Sequence, residues 1–161
     1  LLKTMVKKVK NLILVMKKNY NKELIERYED EIDRSKMLID KAVIGAFMFE
    51  RTSKLKDIEL FYVSLIAKEM ERTVDNVILL EKGDTKFLDL LIKPMEQLQT
   101  LVDNPNLLNL ERAFSFTKAV HAIKEMPVKD VKSYQIALIR QNLVSISEVI
   151  MDWMVTREVE K

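Results

Sequence analysis

The residues of this chain best placed to do chemistry are carboxylates. Glu29 and Asp33 stand four apart, and so do Glu71 and Asp75. On a helix that spacing puts both members of a pair on one side. Each pair flanks an apolar stripe, which sets it beside a groove between helices. Like charges at this spacing repel by only about 0.2–0.5 kcal/mol on a free surface. Four of them brought together from two helices repel more strongly, unless a cation neutralises them. Carboxylate oxygens suit hard or borderline cations such as Mg²⁺, Mn²⁺ or iron. The ordinary alternative is surface ion pairing. Lys36 follows Asp33 by three and Arg72 precedes Asp75 by three, while Glu26 and Asp30 repeat the acidic spacing elsewhere.

Other chemistries are excluded by composition. With 0 Cys there is no disulfide, thiolate metal site or cysteine nucleophile. The one His is His121, and Lys118 stands three residues before it. The Glu-x-x-His pairs of di-iron bundles are therefore missing, and His121 reads as a packed or partly exposed imidazole. Gly45 and Gly83 are the 2 glycines, too few for a phosphate-cradling loop or a nucleophile elbow. No catalytic residue and no organic cofactor is indicated, so the chain reads as a non-enzyme.

Charge is dense and balanced, with 27 basic and 25 acidic residues and a net +2. That is a solvated helical surface, and direct nucleic-acid binding is not indicated. The first 22 residues carry Lys3, Lys7, Lys8, Lys10, Lys17, Lys18 and Lys22 and no acid. Such a stretch can meet a phosphate backbone, a membrane surface or an acidic partner, or serve as a plain solvated face. The longest apolar run, Leu12 to Met16, is far short of the roughly 20 residues that cross a bilayer. Without Cys or a visible secretory signal, a cytoplasmic protein with no membrane insertion is expected. The chain opens on Leu1, which suggests a piece of a longer protein.

The elements that must carry these acids read as helix nearly throughout. Leu2, Met5, Val9, Leu12 and Met16 step by three or four, and Asn19 to Asn21 break the pattern. A second stripe runs Ile25, Tyr28, Ile32, Ser35, Ile39, Ala42, Ala46 and Phe49, to a break at Arg51-Thr52-Ser53 with Ser53 as the expected N-cap. The third runs Ile58, Tyr62, Ile66, Met70, Val74 and Val77, closed by Gly83 as C-cap and Asp84 as the next N-cap. The fourth, Phe87 to Val102, contains Pro94, which predicts a kink or a short interruption there. The fifth uses Leu110, Ala113, Phe114, Val120 and Ile123 and ends at Met126-Pro127. The last, about 128–159, carries Ile136, Ile139, Leu143, Ile146, Ile150 and Trp153.

Six helices with short connections give an all-α, elongated antiparallel bundle. The Gly83-Asp84 break divides it into residues 1–83 and 84–161, which read as two tandem three-helix repeats. The consecutive apolar residues Phe47, Met48 and Phe49, and the group Met151, Trp153 and Met154, exceed what one face of a thin lobe buries. They predict a homodimer or larger assembly.

Two stretches carry a family resemblance. Ile66 to Val77 resembles the Leu-Glu-Arg-Ile-x-Asp-x-Ala signature helix of the PhoU family, and Ile25 to Arg34 resembles the Ile-Glu-Arg-Asp-Asp-Glu-Val-Asp-Arg run of archaeal PhoU-like proteins. The spacing between them is similar to the family's, and Asn142 to Trp153 is similar to the matching helix of its second repeat. The resemblance implies two three-helix repeats and a regulator of phosphate uptake or signalling. Such a protein acts through protein contacts, with a transporter or a kinase as partner, or forms the sensing and dimerisation domain behind a DNA-binding domain of a transcriptional regulator. It also implies metal ligation by Glu29, Asp33, Glu71 and Asp75, with Fe, Zn, Mg or Mn as the metal. Lys36 stands where many members place a further acid, and Lys54 to Asp57 read Lys-Leu-Lys-Asp in place of Asp-Leu-Arg. The corresponding positions of the second half are Val144 and Glu148, and Ala113 to Lys124 contain no acid. One metal site, in the first half, is the expectation.

Overall fold

The computed structural model describes residues 1–49, 54–104, 106 and 108–160. These form six α-helices: α1 (Leu2–Lys18), α2 (Lys22–Met48), α3 (Asp57–Val77), α4 (Thr85–Asp103), α5 (Leu110–His121) and α6 (Val131–Val159). No strand occurs among the described residues. The expected break at residues 51–53, with Ser53 as cap, lies outside them.

The helix starts follow from short polar side chains that accept orphan backbone N–H groups. Asn21 Oδ1 accepts from the Leu24 N–H at 3.0 Å, opening α2, and Asn109 Oδ1 accepts from the Arg112 N–H at 2.9 Å, opening α5. At α6 the exchange is reciprocal: Asp130 Oδ1 accepts from the Ser133 N–H at 2.7 Å, and Ser133 Oγ accepts from the Asp130 N–H at 3.0 Å.

Two ends differ from the sequence expectation. Helix α3 stops at Val77, giving 21 residues, and the chain turns through residues 78–84 before α4. Gly83 does not adopt positive φ and is no left-handed C-cap. Asp84 Oδ2 accepts from the Glu81 N–H at 2.8 Å inside this turn and forms an ion pair with Lys132, so its side chain is not free to cap α4. Helix α5 ends at His121, ahead of the Met126-Pro127 stop. Arg140 Nε donates to the Ile123 carbonyl at 2.7 Å, which satisfies that end from α6. Pro94 is accommodated within a continuous α4 and is buried.

Paired cross-links set the packing as antiparallel. Lys3 pairs with Asp103 at 3.7 Å and Lys17 pairs with Asp89, so α1 and α4 run in opposite directions. Lys56 pairs with Glu160, and the Tyr62 and Thr156 hydroxyls lie 2.8 Å apart, so α3 and α6 do likewise. Ser64 Oγ donates to Asp40 Oδ1 at 3.3 Å between α2 and α3. Helix α1 packs on α2, α3 and α4; α3 on α2 and α6; and α5 on α4 and α6. The joins between the two halves are therefore α1 with α4 and α3 with α6, the first and third helices of each.

The core runs along these joins. Met5, Val9, Leu12 and Met16 of α1 are buried, as are Ile139, Leu143, Ile146 and Ile150 of α6, each as the periodicity predicts. In α5 the buried aromatic is Phe116, while Phe114 lies half exposed beneath the Lys118 ammonium, 4.7 Å from the ring centroid. Trp153 and Met154 are buried in the single chain and offer no free patch. Phe47, Met48 and Phe49 are exposed, as expected.

Candidate metal centre

The register of α2 and α3 decides whether the four acids can meet. The Asp40–Ser64 hydrogen bond fixes one point of contact. Seven residues back from Asp40 stands Asp33, and seven forward from Ser64 stands Glu71. Eleven residues in the same senses reach Glu29 and Asp75. Seven and eleven residues are close to two and three helical turns, so all these side chains return to the face that holds the Asp40–Ser64 contact. In an antiparallel pair Asp33 then lies opposite Glu71, and Glu29 opposite Asp75. The two pairs share one seam.

Electrostatics agree with this register. The Glu29 carboxyl is held above its ordinary value by partial burial first, then by the charges of Asp33 and Asp75. Asp75 is raised by burial and by Asp33. Glu71 is raised by burial; the Lys36 ammonium opposes this, and Asp33 and Asp75 add to it. Glu29 on α2 thus feels Asp75 on α3, and Glu71 and Asp75 on α3 feel Asp33 on α2, which disfavours the ionised forms of Glu29, Glu71 and Asp75.

Counter-charge is scarce in the seam. Lys36 is its resident cation: it pairs with Asp40 at 2.8 Å and lies 3.9 Å from Glu71. Those contacts raise the Lys36 ammonium above its usual value, Asp40 foremost. Arg72 turns away, onto Glu69 at 3.0 Å, and does not answer Asp75. Among the described residues Glu29, Asp33 and Asp75 form no ion pair. The surface-pairing alternative therefore accounts for Glu71 in part and leaves the other three.

The acids form a row along the seam. No three of them converge as a ligand cage among the described residues. An ion held there would draw the carboxylates together by side-chain rotation and complete its coordination with water. The corresponding seam between α5 and α6 is different in kind. Val144 is partly buried, Glu148 is exposed, and Arg140 binds the Ile123 carbonyl and pairs with Glu125 at 3.4 Å.

A second carboxylate cluster was not apparent from the sequence. Glu59, buried near the start of α3, receives three donors. Its Oε1 accepts from Trp153 Nε1 at 2.9 Å and from Arg157 Nε at 2.6 Å, and its Oε2 accepts from the Lys56 N–H at 2.9 Å. Burial alone would raise this carboxyl. The donors from Trp153, Lys56 and Arg157 outweigh it and hold the group below its ordinary value. The Trp153 ring also stacks on Tyr62, with centroids 6.2 Å apart. The Lys56 contact is local to the start of α3, but Trp153 and Arg157 lie on α6, so no local spacing signals the cluster.

Comparison with family models, with curated proteins and with solved structures returned no match. The described residues define an all-α bundle of six helices.

Proposed function

We propose that the chain is a non-enzymatic helical regulator of the PhoU-like type, built from two three-helix repeats and acting on phosphate uptake or signalling through protein contacts. The observation that carries the reading is the alignment of Glu29 and Asp33 with Asp75 and Glu71 across one antiparallel seam, at the positions the resemblance assigns to metal ligands. In this reading the seam takes a single divalent or ferric cation, weakly, because Lys36 competes for Glu71. The second half holds no counterpart, since Val144 and Arg140 occupy that region. The protein partner is a transporter component, a kinase or a DNA-binding domain. The test is physiological: cells lacking the gene should take up phosphate without regard to external supply. Unchanged regulation in such cells would reject the reading.

The dimerisation reading has its own support. Ile44, Phe47, Met48 and Phe49 are each more than half exposed at the end of α2. We propose that this end forms the homodimer contact. Light scattering should give twice 18.9 kDa for the chain and 18.9 kDa for Met48→Glu. A monomeric wild-type chain at micromolar concentration would contradict it.

A further inference from the structure

We propose that the cavity between the two halves, walled by α2, α3 and α6 and entered beside α1, binds an amphiphile of the fatty-acid class: one anionic head and a slender apolar tail. The cavity measures about 730 Å³, within the range typical of small-molecule sites. It lies at the opposite end of α2 from the acidic seam and does not depend on it.

Its walls define the ligand. Along α2 the lining is Ile39, Ala42, Val43, Gly45 and Ala46, an apolar wall with no polar side chain and small residues at three of the five positions. Gly45 is the informative position. Glycine weakens a helix interior relative to alanine, and here neither backbone nor packing calls for it. Its φ is not positive, and a Cβ built on it would meet nothing within 4 Å. The missing side chain deepens the cavity at that point.

The facing wall is rigid. Trp153 lines the cavity while its indole N–H is held by Glu59 and its ring by Tyr62. A preformed wall lowers the ordering cost of binding.

Charge enters at one place. Among the described lining residues Lys3 is the one that carries charge; its side chain is 60% exposed, and its pair with Asp103 is loose at 3.7 Å. A carboxylate at the mouth can take that ammonium without opening a buried ion pair. The apolar interior excludes nucleotides and sugars, whose polar groups would go unpaired.

Trp153 is the chain's 1 Trp, so its fluorescence reports on the cavity directly. The experiment titrates the full chain, stripped of carried-over lipid, with decanoate and with decanol. Decanoate should change the emission saturably. Gly45→Leu fills the cavity with a good helix former and should weaken binding roughly tenfold or more, the cost of one lost anchoring contact. Ala46→Leu does the same if Gly45→Leu fails to fold. Lys3→Glu should weaken decanoate roughly three- to fivefold, the range of an exposed ion pair, and leave decanol unchanged. No saturable change with decanoate would overturn the proposal. So would undiminished binding by a folded cavity-filled variant, or decanol binding as tightly as decanoate.

Discussion

Helix α3 carries two sets of acids whose surroundings are opposites. Glu59, near its start, is buried and receives three donors, and its carboxyl is pulled below the ordinary range. Glu71 and Asp75, toward its end, are pushed up by burial and by neighbouring acids, and among the described residues Lys36 is the cation that reaches Glu71. The difference separates two uses of a carboxylate. An acid that holds a fold together is surrounded by groups that favour its charge. An acid seam left short of counter-charge strains the apo protein slightly and keeps its oxygens available. The α5–α6 pair sharpens the point: it packs with Val144 and Arg140 in place of acids. Packing of an antiparallel helix pair in this bundle does not require an acidic seam.

That contrast can be broken by substitution. The largest effect belongs to Glu59→Ala, which removes the buried carboxylate that joins α3 to Trp153 and Arg157 of α6. Unfolding free energy should fall by about 3–5 kcal/mol, the usual result of removing one partner of a buried charged pair. Urea denaturation measures it; a loss within the error of the assay would place Glu59 outside the fold's support. Next is Lys36→Gln, which removes the seam's cation. It should lower apo stability by about 0.2–1 kcal/mol and tighten cation binding, read by the same melts with and without Mn²⁺. Unaltered cation affinity would show that Lys36 does not compete.

The smallest effect concerns sign rather than size. Glu59 has a depressed folded value, so its contribution is complete above the unfolded value near about 4.3 and disappears as pH falls through the folded one. Asp75 has a raised folded value. Its penalty is absent well below the unfolded value near about 3.9 and complete once pH exceeds the folded one. Asp75→Asn should therefore stabilise the apo protein near neutral pH by about 0.2–0.5 kcal/mol, and the gain should vanish at low pH. Denaturant midpoints across the range give the answer; a loss of stability near neutrality would mean that Asp75 is paired after all.

Much of this was legible in the sequence because helices announce themselves by period. The stripes from Leu2 to Met16 and from Ile136 to Trp153 are buried where the spacing puts them. The acid pairs were visible for the same reason, since four residues apart is one face of one helix. Their register across the seam was not, because it is fixed by the Asp40–Ser64 contact between two helices. Glu59 was invisible on similar grounds: its partners Trp153 and Arg157 come from the far end of the chain. The Gly83 signal misled because that glycine closes no helix. The chain leaves α3 at Val77 and is held in a turn by Asp84. Trp153 read as part of a spare patch because a single helix face cannot show that Glu59 and Tyr62 of α3 will meet it.

In the proposed function the α2–α3 seam takes a cation. Calorimetric titration of Mn²⁺ into the wild-type chain and into the Asp33→Asn/Asp75→Asn double variant tests it directly. One saturable site per chain is expected in the wild type, lost in the double variant, while the variant without metal is at least as stable as the wild type. Equal binding by both chains, or no binding by the wild type, would contradict it.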